Sequence, residues 1–394
     1  MVTAAVLSPT HVLAPEIQGK HALPAWKVPA TTQEPPESCR VVDWVSLETI
    51  DLNDLDSNDP AVRASLISRS KHALSVDGFL YVVGTGVTQE TIERQLAITQ
   101  HIVKGIADKE KAGYTAKLSE GSYRGHKPKG IWSREGVVDN IEHYNFESPS
   151  FDGNIDQHPP SLRPFLPEIR AFADYTYNHI VRKILEIISL VLELPPDALW
   201  KLHSQDGVIG DSCQRYMGYH PRNQEDEEKT KNIWSKGHTD YNTISLLFSQ
   251  PIAALQILTP NNEWKWVQHH DGAVVVNVAD ALDFLTGSVL KATRHRVVRP
   301  PTDQSDITRL ILIHFARARG SLVLKPLYES PIVKRDGLHA FQDRIDAGKR
   351  APTQAEWLAE RIKRTGHEEY TEHKKPGEGR VQEQVLGRQV EYYV

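Results

Sequence analysis

Gly237-His238-Thr239-Asp240-Tyr241 and, further along, Ala292-Thr293-Arg294-His295-Arg296 are the two stretches on which the reading of this chain turns. In extended backbone, residues two apart point to the same side, so the His238 imidazole and the Asp240 carboxylate can face one point. A second imidazole, His295, can reach that point from another strand. An H-x-D triplet by itself is common by chance, and its surroundings give it weight. Short apolar segments rich in β-formers recur at about 207–219, 243–248, 254–258, 264–267, 273–278 and 307–315, divided by turn signals such as Pro260-Asn261-Asn262 and Asp271-Gly272. Many short strands at this spacing predict a sandwich or jelly roll.

Upstream of Leu202 the period is helical. Val62, Leu66, Ile67, Ser70 and Leu74 follow a helical pattern that feeds Asp77-Gly78-Phe79-Leu80-Tyr81-Val82-Val83, an apolar strand bounded by glycine. Further helices are expected at about 88–112 and 165–193, the second with a stripe from Ile169 to Val191 that ends at Pro195-Pro196. The N-terminal half therefore reads as mostly helical. Thr353 with Glu356, a capping-box spacing ahead of Trp357 and Ile362, signals a last helix. The expected organisation is an extended, proline-rich arm over 1–40, a helix-rich region over 41–205, a β core over 206–330, and a C-terminal helix with a polar tail lacking any period over 331–394. The charged run between Pro221 and Lys231 reads as a solvated insertion. The fold class is mixed α/β with a mainly β core.

The 394 residues are enough to bury a sizeable core, and 46 basic against 51 acidic residues leave a net charge of −5 spread along the chain. That balance gives no reason to expect a nucleic-acid or membrane partner. No apolar run reaches the roughly 18 residues a membrane span needs, and MVTAAVLSPTHVLAP has no basic n-region. The two cysteines, Cys39 and Cys213, exclude a disulfide framework and a C-x-x-C motif, which fits a reducing cytoplasm.

Two neutral imidazoles and one carboxylate form the facial triad typical of non-haem Fe(II) sites, leaving three positions of an octahedral ion open. The His238–Leu247 segment, the Asn277-Val278-Ala279-Asp280-Ala281-Leu282 turn, Leu285-Thr286-Gly287, the Lys291–Val297 segment and Arg309 come in one order. In that order they resemble the 2-oxoglutarate/Fe(II)-dependent oxygenases of the isopenicillin N synthase-like class. Asp77-Gly78-Phe79 with Gly84-Thr85-Gly86, and Glu142-His143-Tyr144-Asn145-Phe146, extend the resemblance over residues 48 to 330.

The resemblance implies a double-stranded β-helix (jelly roll) with flanking helices, and Fe(II) held by His238, Asp240 and His295. It also implies 2-oxoglutarate as cosubstrate, its far carboxylate gripped by the Arg309 fork and the phenol of Tyr219, in Tyr219-His220-Pro221. The expected reaction is hydroxylation, desaturation or cyclisation of a small organic molecule by dioxygen in secondary metabolism, with no catalytic residue beyond the metal ligands. By position in the family pattern, Tyr123, Trp132, Tyr144, Phe248 and Arg317 are candidates for the substrate pocket. One position departs from the pattern: Ile311 stands where a serine usually follows the arginine by two residues. Either Arg309 and Tyr219 suffice, with or without a water, or the protein is an Fe(II) oxidase that does not use 2-oxoglutarate. A jelly roll that binds a ligand without catalysis is the further alternative. His269 and His270, before a turn, read as solvent-exposed. His314, opposite in strand alternation to Arg309, should face outward or toward a helix layer. Arg294 and Arg296 are given no catalytic role.

Overall fold

The computed structural model describes residues 21–27, 42–147, 155–205, 208, 209, 212–365 and 380–393. Two sheets face each other as a jelly roll. The larger runs in the order Thr49–Asp51, Phe79–Val83, Val274–Val278, Ile244–Phe248, Arg309–Ala316, Cys213–Tyr219, Ile141–Glu147 and Gly125–Lys127. The smaller runs Trp264–Trp266, Leu255–Leu258, His295–Val298, Ile233–His238, Arg388–Tyr393 and Arg380–Val385. Within the larger sheet, Thr49–Asp51 and Phe79–Val83 pair in parallel, and the other pairings are antiparallel.

Strand alternation sorts the larger sheet's side chains into two populations. Tyr144, Phe146, Tyr216, Ile244, Leu246, Phe248, Leu310 and Leu312 are buried against a helical layer. That layer includes Pro60–Val76, started by Asp59, whose carboxylate accepts from the Ala61 N–H at 2.8 Å. It also includes the run Leu166–Tyr175, Thr176–Val181 and Arg182–Val191, whose predicted stripe is buried as expected, with Ile169, Phe172, Ile180 and Ile188 each 0% exposed. At about 1.5–3 kcal/mol for each fully buried large apolar side chain, this helix-to-sheet layer dominates the stabilisation. The opposite face of the same strands turns Ile141, Met217, Tyr219, Leu247, Ile311 and Ile313 toward the smaller sheet. That inner face becomes the wall of the site.

The structure differs from the sequence reading at several places. The N-terminal half is not only helical: it supplies four strands of the larger sheet. Ile141–Glu147 shows no apolar alternation because its polar members are buried with partners, Glu142 against Lys111 at 2.8 Å and Asn145 against Arg215 at 2.7 Å. The run after Pro221 is not merely solvated. Gln224–Lys229 is a helix capped by Asn223, and its Glu227 is buried, accepting from Trp234 Nε1 at 2.8 Å. The tail is likewise ordered over Arg380–Val385 and Arg388–Tyr393, a hairpin turned at Leu386-Gly387. Its charged residues are paired, Glu383 with Arg364 and Glu391 with Arg294, while Val385 and Val390 join Phe284, Phe341 and Trp357 in a satellite core. The capping box at Thr353 and Glu356 forms as predicted. Of the arm, residues 1–20 and 28–40 lie outside the described residues; Trp26 packs into the core and the His21 carbonyl accepts from Arg94 at 2.9 Å. Among the described residues no helix is long and apolar enough to cross a membrane.

Candidate metal centre and its cavity

His238 ends one strand of the smaller sheet and His295 begins its neighbour, and the two are cross-strand partners with ring centroids 4.5 Å apart. Asp240 follows in the turn and places Oδ1 3.8 Å from His238 Nε2 and 3.6 Å from His295 Nε2. One donor atom from each of the three residues lies within 4.8 Å of the others. The approach to His295 is set by Gly78, at φ +67°, where an added Cβ would sit 2.2 Å from the Lys291 carbonyl.

The remaining polar atoms of the three side chains are occupied. His238 Nδ1 faces the Lys236 carbonyl at 2.8 Å and His295 Nδ1 the Thr293 carbonyl at 3.3 Å. A carbonyl can only accept, so each Nδ1 carries a proton, and in the neutral imidazole that a metal requires the lone pair is on Nε2. Asp240 Oδ2 accepts from Ser245 Oγ at 2.6 Å and Asn277 Nδ2 at 3.0 Å, leaving Oδ1 open. Burial pushes His238 down to about 4, helped by its neighbour His295. Burial opposes ionisation of Asp240 too, yet His295, His238 and Ser245 together hold its carboxyl well below the usual range. Burial would lower His295, but Asp240 outweighs it and raises the imidazole. Three convergent donors, two of nitrogen and one of oxygen, with every outer atom bonded, fit a divalent transition ion of the Fe(II) kind.

The Gln354–Arg364 helix braces this turn from behind. Arg361 Nη1 meets Asp280 Oδ2 at 2.7 Å, the Asp280 N–H donates to the Asp240 carbonyl at 2.9 Å, and Gln354 Nε2 donates to the Tyr241 carbonyl at 3.1 Å. Tyr241 Oη pairs with Thr365 Oγ1 at 2.9 Å, and its ring lies under the Arg361 guanidinium at 4.2 Å.

Arg309 and Tyr219 stand opposite each other in the register of the two central strands, and both line the cavity in front of the triad. Arg309 is buried, spends only Nε on the Ile252 carbonyl at 3.0 Å, and makes no ion pair with a carboxylate of the described residues. Burial lowers it to about 10 and raises the Tyr219 phenol to about 12. A desolvated guanidinium whose terminal nitrogens face a cavity fits an incoming carboxylate. Ile311 shares that face, as strand alternation predicts, and offers only hydrocarbon.

The cavity encloses about 250 Å³. Tyr123, Trp132 and Arg317 of the predicted substrate residues line it. Tyr144 and Phe248 do not: both sit on the helix side of their strands, Tyr144 bonded to His158 Nδ1 at 2.9 Å and Phe248 4.9 Å from the Phe172 ring. His314 lies in the helix layer as expected, 3.0 Å from Gln214. His269 is not solvent-exposed; its side chain is 6% exposed and bound by Ser249 and Asp271. His270 is exposed and meets the Tyr81 ring edge-on. Arg294 pairs with Glu391, and Arg296 bonds Gln256 and covers Trp264. Sequence reasoning passed over Ser245, Asn277 and Arg361, which hold the ligands or their turn. It also passed over Arg215, although Arg215 precedes Tyr219 by four residues and so shares its face.

A family model for the 2OG-Fe(II) oxygenase superfamily matches residues 210–318, and one for the non-haem dioxygenase in morphine synthesis N-terminal region matches residues 47–165. Among curated proteins, the UPF0676 protein C1494.01 of Schizosaccharomyces pombe is 25% identical over 285 residues, 70% of this chain and 84% of that protein. The 2-oxoglutarate-dependent dioxygenase FG08081 of Gibberella zeae is 26% identical over 300 residues, 75% of this chain and 86% of its own length. Among solved structures, a full-length Neurospora crassa protein in complex with alpha-KG superimposes with a TM-score of 0.66 at 18% identity, covering 86% of this chain and 99% of that one.

Proposed function

The chain belongs to the 2OG-Fe(II) oxygenase superfamily, and from that premise we propose that it oxidises a small organic molecule of secondary metabolism by hydroxylation, desaturation or cyclisation. It is a 2-oxoglutarate-dependent dioxygenase that uses Fe(II). In this reading His238, Asp240 and His295 hold the ion. The supporting observation is that their outer polar atoms are all engaged, so three donor atoms stay free and convergent. An Fe(II) ion held there would let dioxygen act as the oxidant, with 2-oxoglutarate giving up two electrons and the substrate C–H bond the other two.

The protein's own part is binding, orientation and exclusion of water. Arg309 grips the far carboxylate of 2-oxoglutarate and Tyr219 donates to it, while Ile311 seals that end with an apolar wall. Met217, Leu247 and Ile313 keep the wall beside them dry, which strengthens the Arg309 pair relative to water. A cavity of about 250 Å³ supports a small substrate. The cytoplasm is the proposed compartment, in keeping with the buried, unpaired thiol of Cys213.

The test is anaerobic titration of Fe(II)-loaded protein with 2-oxoglutarate. A weak visible metal-to-ligand charge-transfer band, lost in Asp240→Ala, is the expected result. Iron bound without a band would sink the reading. A screen of small metabolites for faster succinate release then narrows the substrate.

A further inference from the structure

The arginines that line the cavity differ in what they are already bound to. Arg317 faces Glu147 at 3.4 Å, and Arg222 spends Nη1 on Thr230 Oγ1 and the Ile233 carbonyl. Arg309 is reserved for the cosubstrate in the reading above. Arg215 remains. It lines the same cavity, donates only through Nε to Asn145 Oδ1 at 2.7 Å, and makes no ion pair with a carboxylate of the described residues.

Its guanidinium is nonetheless held still. The guanidinium carbon lies 4.9 Å from the Tyr123 ring centroid and 4.8 Å from that of Phe315, so two aromatic rings fix its plane. Asn145 is itself anchored, donating Nδ2 to the Tyr123 carbonyl at 2.6 Å. A long side chain pinned at Nε, with Nη1 and Nη2 open toward a cavity, is a fork prepared for a bidentate anion. Trp132 lines the cavity as well, and its indole Nε1–H is buried with no acceptor among the described residues. A buried donor left unpaired carries a free-energy penalty that an arriving acceptor relieves.

Position completes the argument. Arg215 and Tyr219 lie on one face of one strand, about 13 Å apart at the usual rise per residue. Since Tyr219 is the cross-strand partner of Arg309, the two open guanidinium groups sit near opposite ends of the cavity, with Met217, Ile311 and Ile313 between them.

We propose that Arg215, assisted by Trp132, binds an anionic group of the substrate, so that the enzyme takes small carboxylic acids with an apolar body. This rests on the reading of Arg309 as the cosubstrate's partner. Arg215 then fixes which carbon of the substrate faces the metal, and neutral analogues of the same shape bind poorly because they leave its guanidinium without an anion.

The experiment uses the full chain loaded with Fe(II) and saturating 2-oxoglutarate in the absence of oxygen. Benzoate, 2-naphthoate and hexanoate are each titrated beside their primary amides by calorimetry. At least one acid is expected to bind about ten- to a hundredfold more tightly than its amide. In Arg215→Met that preference collapses toward unity, in Arg215→Lys it falls partway, and in Trp132→Phe it drops less. If no acid outranks its amide, or if the preference outlasts Arg215→Met, the proposal is overturned. Should Arg215→Met fail to fold by thermal melting, Arg215→Gln and Arg215→Lys decide by the same ratio. The charge-transfer band of the loaded wild-type protein separately reports whether 2-oxoglutarate is held. Its absence would count against the cosubstrate assignment, and the acid-to-amide ratio is then read on protein loaded with metal alone.

Discussion

Arg361 Nη1 and Asp280 Oδ2 form a buried ion pair of 2.7 Å directly behind the metal-binding turn, and Asp280 passes the constraint on through its N–H to the Asp240 carbonyl. Burial raises Asp280, so its charge depends on this partner. Removing one member of a buried pair strands the other, at about 3–5 kcal/mol. Arg361→Met is expected to lower stability by that amount and to weaken Co(II) binding, read from the visible spectrum, by about ten- to a hundredfold. Metal affinity equal to wild type would show that the helix supports the fold without orienting the ligand.

Ser245 donates to the atom of Asp240 that is turned away from the imidazoles. Ser245→Ala frees Oδ2 to rotate toward the metal and should cost about ten- to a hundredfold in metal affinity while the protein still melts cooperatively. Asp240→Ala removes a ligand outright, and equilibrium dialysis should then find no bound Fe(II).

Replacing Arg309 by methionine keeps the apolar stem and deletes the charge. Loss of a charge-assisted contact of about 1.5–3 kcal/mol predicts a rise of roughly ten- to a hundredfold in the 2-oxoglutarate concentration for half-saturation. Ile311→Ser restores a hydroxyl beside the fork and should tighten cosubstrate binding. No response to either change would move the carboxylate clamp to another part of the wall.

Glu142 accepts from Lys111 at 2.8 Å, His220 at 3.0 Å and His126 at 3.3 Å. Its burial favours protonation, but these three contacts outweigh it and hold the carboxyl well below its ordinary value of 4.5. With the folded value depressed, the stabilisation is complete above the ordinary value and disappears as pH falls below it toward the folded one. Urea unfolding should show wild type losing stability on acidification faster than Glu142→Gln, which begins about 3 kcal/mol less stable at neutral pH. Parallel pH profiles would rule the cluster out as an acid-sensitive element.

Of the site, only His238 and Asp240 are legible from local spacing, being two apart; His295, Arg309 and Tyr219 come from distant segments and are reached through the order of segments that resembles the oxygenase class. Tyr144 and Phe248 turn to the helix side, because a strand has two faces and family position alone does not say which one meets the cavity. Glu142 and Asn145 concealed a strand by being buried and polar at once. Arg361 lies in a helix whose pattern predicts only burial of Trp357 and Ile362; its contact with Asp280 is a tertiary fact with no sequence spacing to reveal it. Hairpin 380–393 escaped notice for a related reason, as its polar residues are paired to partners remote in sequence.

The backbone of residue 393 pairs with Gly237, next to His238. The strand that carries a metal ligand thus gets one of its two neighbours from nearly the last residues described. During synthesis that edge stays open until the hairpin has left the ribosome, an unpaired strand able to recruit other chains. A copy cut before Arg380 would retain His238, Asp240 and His295 and still leave their sheet unfinished. The sheet that carries His238 and His295 is therefore closed only once the hairpin over Arg380–Tyr393 is in place.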